Sequence, residues 1–381
     1  MQLKLASSIT SYRVIADILN HIRWQDTEKN IKYRTLSDSV EREGNKIINY
    51  IDEKAAKVLE ENNFHPGKGT PLDEKNIEIE KSNPTISTIP HERIEQIIDE
   101  YNFGKEKEIQ IDVTSIKETF VEDKYCVNIS IDDVGTVEQK KTGRMKNPPP
   151  KDCRHYVKNT VIHIQHGFGK YILDGLGISK MLTILTAFLL HNGLFENKCL
   201  IFFADGDTEI KKSIKTVFAW RSYRIILDWY HLKKKCQERL SVAMKGREIR
   251  NEVLQKVLQL LWVGKVESAI VYLKKLDINK IKNKEQIEKL INYFDRNYSC
   301  ISCYALRKKL GLRVSSNRGE KANDLVVARR QKHNGMSWSK YGSSGLANVS
   351  ALFLNKENEN WINKRIIDFK LYDCKQEVQV A

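Results

Sequence analysis

The period of the hydrophobic positions changes along this chain, and the changes outline its elements. Ile9, Val14, Ile15, Ile18 and Leu19 form one stripe at helical spacing, and Ile47, Ile48, Ile51, Ala55 and Val58 form another. Together they predict two or three helices over residues 1–62. The polar segment 61–90, with Pro66, Pro71 and Pro84, reads as a linker or an irregular excursion. A short helix near residues 92–101 and an extended segment near 108–113 follow. At residue 125 the period drops to two. Val127, Ile129 and Ile131 alternate with Asn128, Ser130 and Asp132, which predicts a strand over 125–138. The basic stretch 140–151, with Pro148, Pro149 and Pro150, must be a loop because proline cannot donate to a ladder. Residues 157–166 and 170–173 predict a hairpin around Gly167 and Gly169, and 178–194 an apolar helix.

Residues 198–240 then repeat a strand–helix unit. The apolar run Leu200 to Ala204 stops at Asp205-Gly206-Asp207, and Ile210, Ile214, Val217 and Phe218 follow at helical spacing. A second run, Ile225 to Leu227, stops at Asp228; behind Trp229-Tyr230-His231, the residues Leu232, Cys236 and Leu240 fall four apart. In an open α/β sheet the site lies at the carboxyl ends of the strands, where Asp205 and Asp228 stand. The plainer alternative is that both are helix N-caps. Beyond residue 240 only helical stripes recur, on Val253, Val257 and Leu261, on Val266, Ile270 and Leu273, and on Ile287, Leu290 and Phe294. After Gly311, the residues Glu320, Asp324, Val327 and Gln331 share one face of a further helix. Glu320 sits in its first turn, where the helix dipole alone favours an acid. The order β, β, β, α, β, α, β, α predicts an α/β fold: a mixed sheet with flanking helices, preceded by a helical region and interrupted by an all-helical insertion.

Charge sharpens this outline. The net charge is +15, but residues 1–100 hold 14 Lys and Arg against 18 Asp and Glu. Residues 208–280 hold 17 against 7, and residues 300–340 hold 10 against 2. A basic excess confined to the half that follows the acidic motif fits a nucleic-acid binder. The sequence predicts no membrane span, since the most apolar window, 181–190, is too short. It also lacks the unbroken apolar core of a signal peptide near its start. Of the seven cysteines only Cys300 and Cys303 form a CxxC, which without a second pair argues for a reduced, cytoplasmic protein rather than a zinc site.

Asp132, Asp205 and Glu320 are three carboxylates carried by separate elements, and hard divalent cations take such oxygen ligands. Two such ions can activate a nucleophile and stabilise the leaving oxygen in phosphoryl transfer. Asp133 and Asp207 are the neighbouring rivals. Val127, Ile129 and Ile131 share the parity of Asp133, so Asp132 falls on the more polar face. Asp207 lies farther past its apolar run.

Together FFADGD, ILDWYHLKKK and NRGEKAND…ARRQKHNGMSWS resemble the DDE-type transposases of insertion sequences. Their core is RNase H-like, and the likeness is to the subset with a helical insertion and a C/D-x-x-H signature (Mutator/hAT-like group). That signature would be Asp228-Trp229-Tyr230-His231, 23 residues after Asp205, and the resemblance spans roughly residues 120–355. It implies Asp132, Asp205 and Glu320 as catalytic ligands of two Mg²⁺ or Mn²⁺ ions, with Asp228 and His231 in the same site. It further implies a bacterial, nucleoid-associated protein that acts on double-stranded DNA, at element ends and target, as a homodimer or larger oligomer. Cleavage would free a 3′-hydroxyl that attacks the target. The expected DNA contacts are Lys233, Lys234, Lys235, Arg313, Arg318, Arg329, Arg330 and Lys332. Trp262 is a stacking candidate, against the plainer reading that it is helix core.

The expected organisation is a helical N-terminal region with linker over 1–105, where DNA ends could bind, and a first core segment over 106–240. An insertion over 241–312 and a last core segment with tail over 313–381 complete it. Two other classes stay open: a catalytically inactive or domesticated DNA-binding derivative, and another RNase H-like nuclease.

Overall fold

The computed structural model describes residues 2–7, 11–22, 30–73, 88–113, 118–139, 155–196, 198–332 and 336–373. The N-terminal stripes form α1 (Gln2–Ala6), α2 (Tyr12–Ile22) and α3 (Tyr33–Glu61), followed by α4 (His91–Asn102). The segment near 108–113 forms no strand, although Gln110 has extended backbone. A 3₁₀ turn, Lys107–Ile109, occupies its start, and the Asn102 side chain brackets both backbone groups of Ile111 at 2.7 and 2.9 Å. Those contacts replace the ones a neighbouring strand would make. The proline-rich stretch 140–151 and much of the 61–90 segment lie outside the described residues.

The alternating segment becomes the long strand β1 (Cys126–Val137), followed by β2 (Tyr156–His166) and β3 (Gly169–Leu176). Then come α5 (Ile178–His191), β4 (Cys199–Ala204), α6 (Thr208–Val217), β5 (Tyr223–Leu227) and α7 (Trp229–Ala243). With the two-residue edge strand β6 (Tyr372–Asp373) the sheet order is β5-β4-β1-β2-β3-β6. The β1–β2–β3 strands pair antiparallel, whereas β1, β4 and β5 run parallel. Three antiparallel strands followed by two parallel ones make an RNase H-like sheet.

Alternation on β1 splits its two faces. Val127, Ile129 and Ile131 join the main core with residues of α3 and α5. Asn128, Ser130 and Asp132 face α12 (Asn317–Asn323), the element carrying Glu320. Between α7 and α12 the chain is helical: α8 (Arg247–Trp262), α9 (Val266–Lys274), α10 (Lys284–Asn297) and α11 (Tyr304–Lys309). A buried ion pair ties this helical part to the sheet, Arg307 of α11 donating to Glu118, which also meets Arg224 of β5 at 3.1 Å.

After α12 the helix does not continue at α spacing. Asp324–Ala328 forms a π-helical turn before α13 (Arg329–Gln331), so the face predicted through Asp324, Val327 and Gln331 shifts. The helices α14 (Lys340–Leu354) and α15 (Asn358–Lys364) close the chain against α3 and β3. No helix among the described residues is long and apolar enough to cross a membrane.

Candidate active site

Asp132 lies in β1 on the face toward α12. Its Oδ1 accepts the Asp133 N–H at 2.8 Å and its Oδ2 accepts Asn323 Nδ2–H at 2.7 Å. Burial pushes its carboxyl up to about 6; the Asp205 charge adds to this, and His231 opposes it. Asp133 instead accepts the Thr160 hydroxyl at 2.7 Å.

Asp205 ends β4, and its Oδ1 accepts the Asp207 N–H at 2.8 Å. Gly206 turns the chain with φ +91°, and a side chain there would meet Tyr293 Oη at 2.9 Å. The Tyr293 hydroxyl donates to the Asp205 carbonyl at 3.1 Å, so α10 fixes this strand end. Asp207 is the N-cap of α6, accepting from Glu209 and Ile210 N–H groups.

Of the two roles the sequence left open for Asp228, the cap is the one seen. It is the N-cap of α7, accepting the His231 N–H at 3.0 Å, and its second oxygen accepts the Ser316 N–H. Buried and doubly bonded, it pins the loop before α12 to the start of α7. That pin sets Glu320 beside His231, with Oε1 3.3 Å from Nε2. Burial and the Asp228 charge push the Glu320 carboxyl upward, with His231 pulling it back. The ligand atoms of Asp228, His231 and Glu320 all lie within 4.8 Å of one another, a group that could hold a metal ion.

His231 thus meets Glu320 directly and acts electrostatically on Asp132, on which Asp205 also acts. Glu320 Oε1 is buried without a well-formed hydrogen bond, and Asp132 is crowded by Asp205 in a desolvated place. Both features fit a cation, because each leaves carboxylate charge uncompensated.

Gly319 explains how Glu320 gets there. A Cβ on Gly319 would fall 2.5 Å from Ser130 Cβ, so only glycine lets α12 close on β1. Gly319 and Asn323 went unrecognised in the sequence, and the one signal was their spacing about Glu320 in NRGEKAN.

The cations divide. Lys233, Lys234, Arg318, Arg329 and Lys332 are exposed, Lys235 and Arg313 half-buried. Lys235 shares a cavity of about 800 Å³ with Asp205, Arg239, Lys289 and Arg296, between the sheet and α10. Lys234 acts electrostatically on Glu320. Two expected contacts need correction. Arg330 is 1% exposed, with its guanidinium over the Trp338 and Tyr12 rings, and cannot reach a phosphate. Trp262 stacks on Tyr304 and meets Trp229 edge-on, 4.8 Å between centroids, so it belongs to the helical core.

The sequence profile described as "Uncharacterised protein family (UPF0236)" matches residues 183–365, just under half of the chain. That span holds Asp205, Asp228, His231 and Glu320 but not Asp132. No curated protein matches the sequence. Among solved structures, the "Drosophila P element transposase strand transfer complex" aligns over 96% of this chain and 90% of its own. Its sequence identity is 10% and its TM-score 0.23, too loose a likeness to bear on function.

Proposed function

We propose that the chain is a DDE-type transposase, a metal-dependent polynucleotidyl transferase that cuts DNA at element ends and joins the freed 3′-hydroxyl to a target. The observation that carries this reading is that His231 links acids spread over 188 positions: it acts electrostatically on Asp132, as Asp205 does, and meets Glu320 at 3.3 Å. Asp132, Asp205 and Glu320 would hold Mg²⁺ or Mn²⁺, which when bound supplies an activated nucleophile and stabilisation of the leaving oxygen. Asp228 acts as a positioning residue through its two backbone contacts. His231 holds Glu320 in register through Nε2. Lys235, Arg239, Lys289 and Arg296 would neutralise the DNA backbone on approach to Asp205. Residues 241–312 are read as an insertion into a core formed by 106–240 and 313–381, and residues 1–105 as a region that binds DNA ends. Double-stranded DNA is the proposed partner, engaged by two or more copies.

The test is end cleavage and gel-shift affinity on one labelled substrate. Asp205→Asn keeps shape and hydrogen bonding but removes ligand charge, so cleavage in Mg²⁺ should collapse by about 100-fold or more while affinity stays within about threefold. Unimpaired cleavage by Asp205→Asn would sink the assignment. A parent that binds DNA and never cuts would instead mark a binding-only derivative.

A further inference from the structure

A second cavity, of about 850 Å³, opens on the same face of the sheet as Asp132. His163 lines it and pairs with Ser130, two positions before Asp132 on β1, a step of about 7 Å. The segment carrying Glu320 separates the two places: Arg318 and Lys321 line the cavity, while Glu320 meets His231. Five cations surround the cavity, Lys124, Lys170, Arg313, Arg318 and Lys321. The single acid among its lining residues, Asp123, already accepts Asn128 Nδ2–H at 3.1 Å.

His163 is 4% exposed, and its Nδ1 is buried with no hydrogen-bond partner among the described residues. An unpaired buried ring nitrogen is destabilising unless a ligand or water satisfies it. Burial, with Arg313, Arg318 and Lys170 nearby, lowers its pKa to about 4. The imidazole is therefore neutral at neutral pH, one nitrogen a donor and the other an acceptor. Gln165 beside it accepts from Arg318 and so fixes that guanidinium at the rim. At the hairpin tip between β2 and β3, Phe168 also lines the cavity and is 60% exposed.

We propose that this cavity binds one unpaired nucleotide of a DNA strand. Its base would stack on Phe168 with its edge against His163, and its phosphate would sit among Lys170, Arg313 and Lys321. A simple anion site would need the cations but neither the exposed aromatic nor the buried imidazole. The volume lies within the range of small-molecule pockets. The proposal rests on the nucleic-acid reading of this face and adds where a nucleotide next to the scissile one would be held.

The test uses the full chain in EDTA, where nothing is cut, and a fluorescein-labelled hexamer of thymidylate read by anisotropy. Phe168→Ala should weaken binding about 5- to 100-fold, the loss of one stacked base. His163→Phe keeps the ring shape and removes both nitrogens; it should weaken binding about fivefold or more at an unchanged or higher Tm. Inorganic phosphate should compete only at concentrations far above those of the hexamer. Binding by Phe168→Ala within twofold of the parent, or phosphate competing as well as the hexamer, overturns the proposal. Cleavage by the parent with Phe168→Ala binding normally removes this pocket and leaves the nuclease reading. A parent that never cuts but shows the Phe168 dependence does the reverse.

Discussion

Asp132 carries the most informative single charge in the molecule. Unfolded, its carboxyl titrates near 4, whereas in the fold burial and Asp205 raise it to about 6. The folded state therefore binds the extra proton between those values, and stability falls as pH rises through them. The stabilising contribution is fully present below about pH 4 and lost above about pH 6, at most about 3 kcal/mol. Metal-free protein should accordingly show a urea midpoint that drops across this window. Asp132→Asn should flatten that part of the profile and exceed the parent at pH 7.5 by about 1–3 kcal/mol, since Asn323 can turn its amide to keep a bond. Mg²⁺ should raise the parent's Tm at pH 7.5 and leave Asp132→Asn nearly unmoved. A mutant that loses stability at pH 7.5 would show that Asp132 is a structural acid.

Between elements, the contact that matters is α12 against β1. Gly319→Ala would put its methyl 2.5 Å from Ser130 Cβ, both fixed by backbone, so helix or strand must shift. The expected cost is about 1–3 kcal/mol, with loss of cleavage as Glu320 moves from His231. Ser130→Gly removes the opposing atoms, and the double mutant should regain about 1 kcal/mol or more relative to additivity in a denaturation cycle. Additive losses would mean that α12 does not depend on this approach. The alternation of β1, the two strand ends at Asp205 and Asp228 and the succession of strands and helices along the chain were legible in the sequence, because period and punctuation are local. The role of Gly319 was not, since it depends on an atom of Ser130 that lies 189 positions away. Nor was the π-helical turn, which lets Asn323 bond Asp132 while Val326 and Val327 stay buried. Asp228 was legible only as an alternative, cap or site. It is the cap, and its second oxygen also holds Ser316, in the loop before α12.

Over the whole molecule, position rather than number decides what a cation can do. The net +15 includes Arg307 and Arg330, both nearly fully buried and engaged with protein groups. Neither can release a counterion from DNA. Lys233 and Lys234 are exposed on α7, and Lys235, Arg239 and Lys289 line the cavity at Asp205. Removing a single cation that touches a phosphate should reduce the slope of log K against log[salt] by about 0.9 on duplex DNA. Replacing Lys235, Arg239 and Lys289 together with alanine should therefore lower the slope by up to about 2.7 and weaken binding mainly at low salt. Arg330→Leu gives the opposite pattern. It removes a buried guanidinium from between Trp338 and Tyr12, so Tm should change while the salt slope of the folded protein stays that of the parent. The measurement is a salt titration of duplex binding by anisotropy, run with a melt on each variant. If Arg330→Leu lowered the slope as much as one of the cavity residues, the guanidinium would have to reach DNA. The helix around it would then open on binding, and interior and DNA-facing charge would no longer be separate populations.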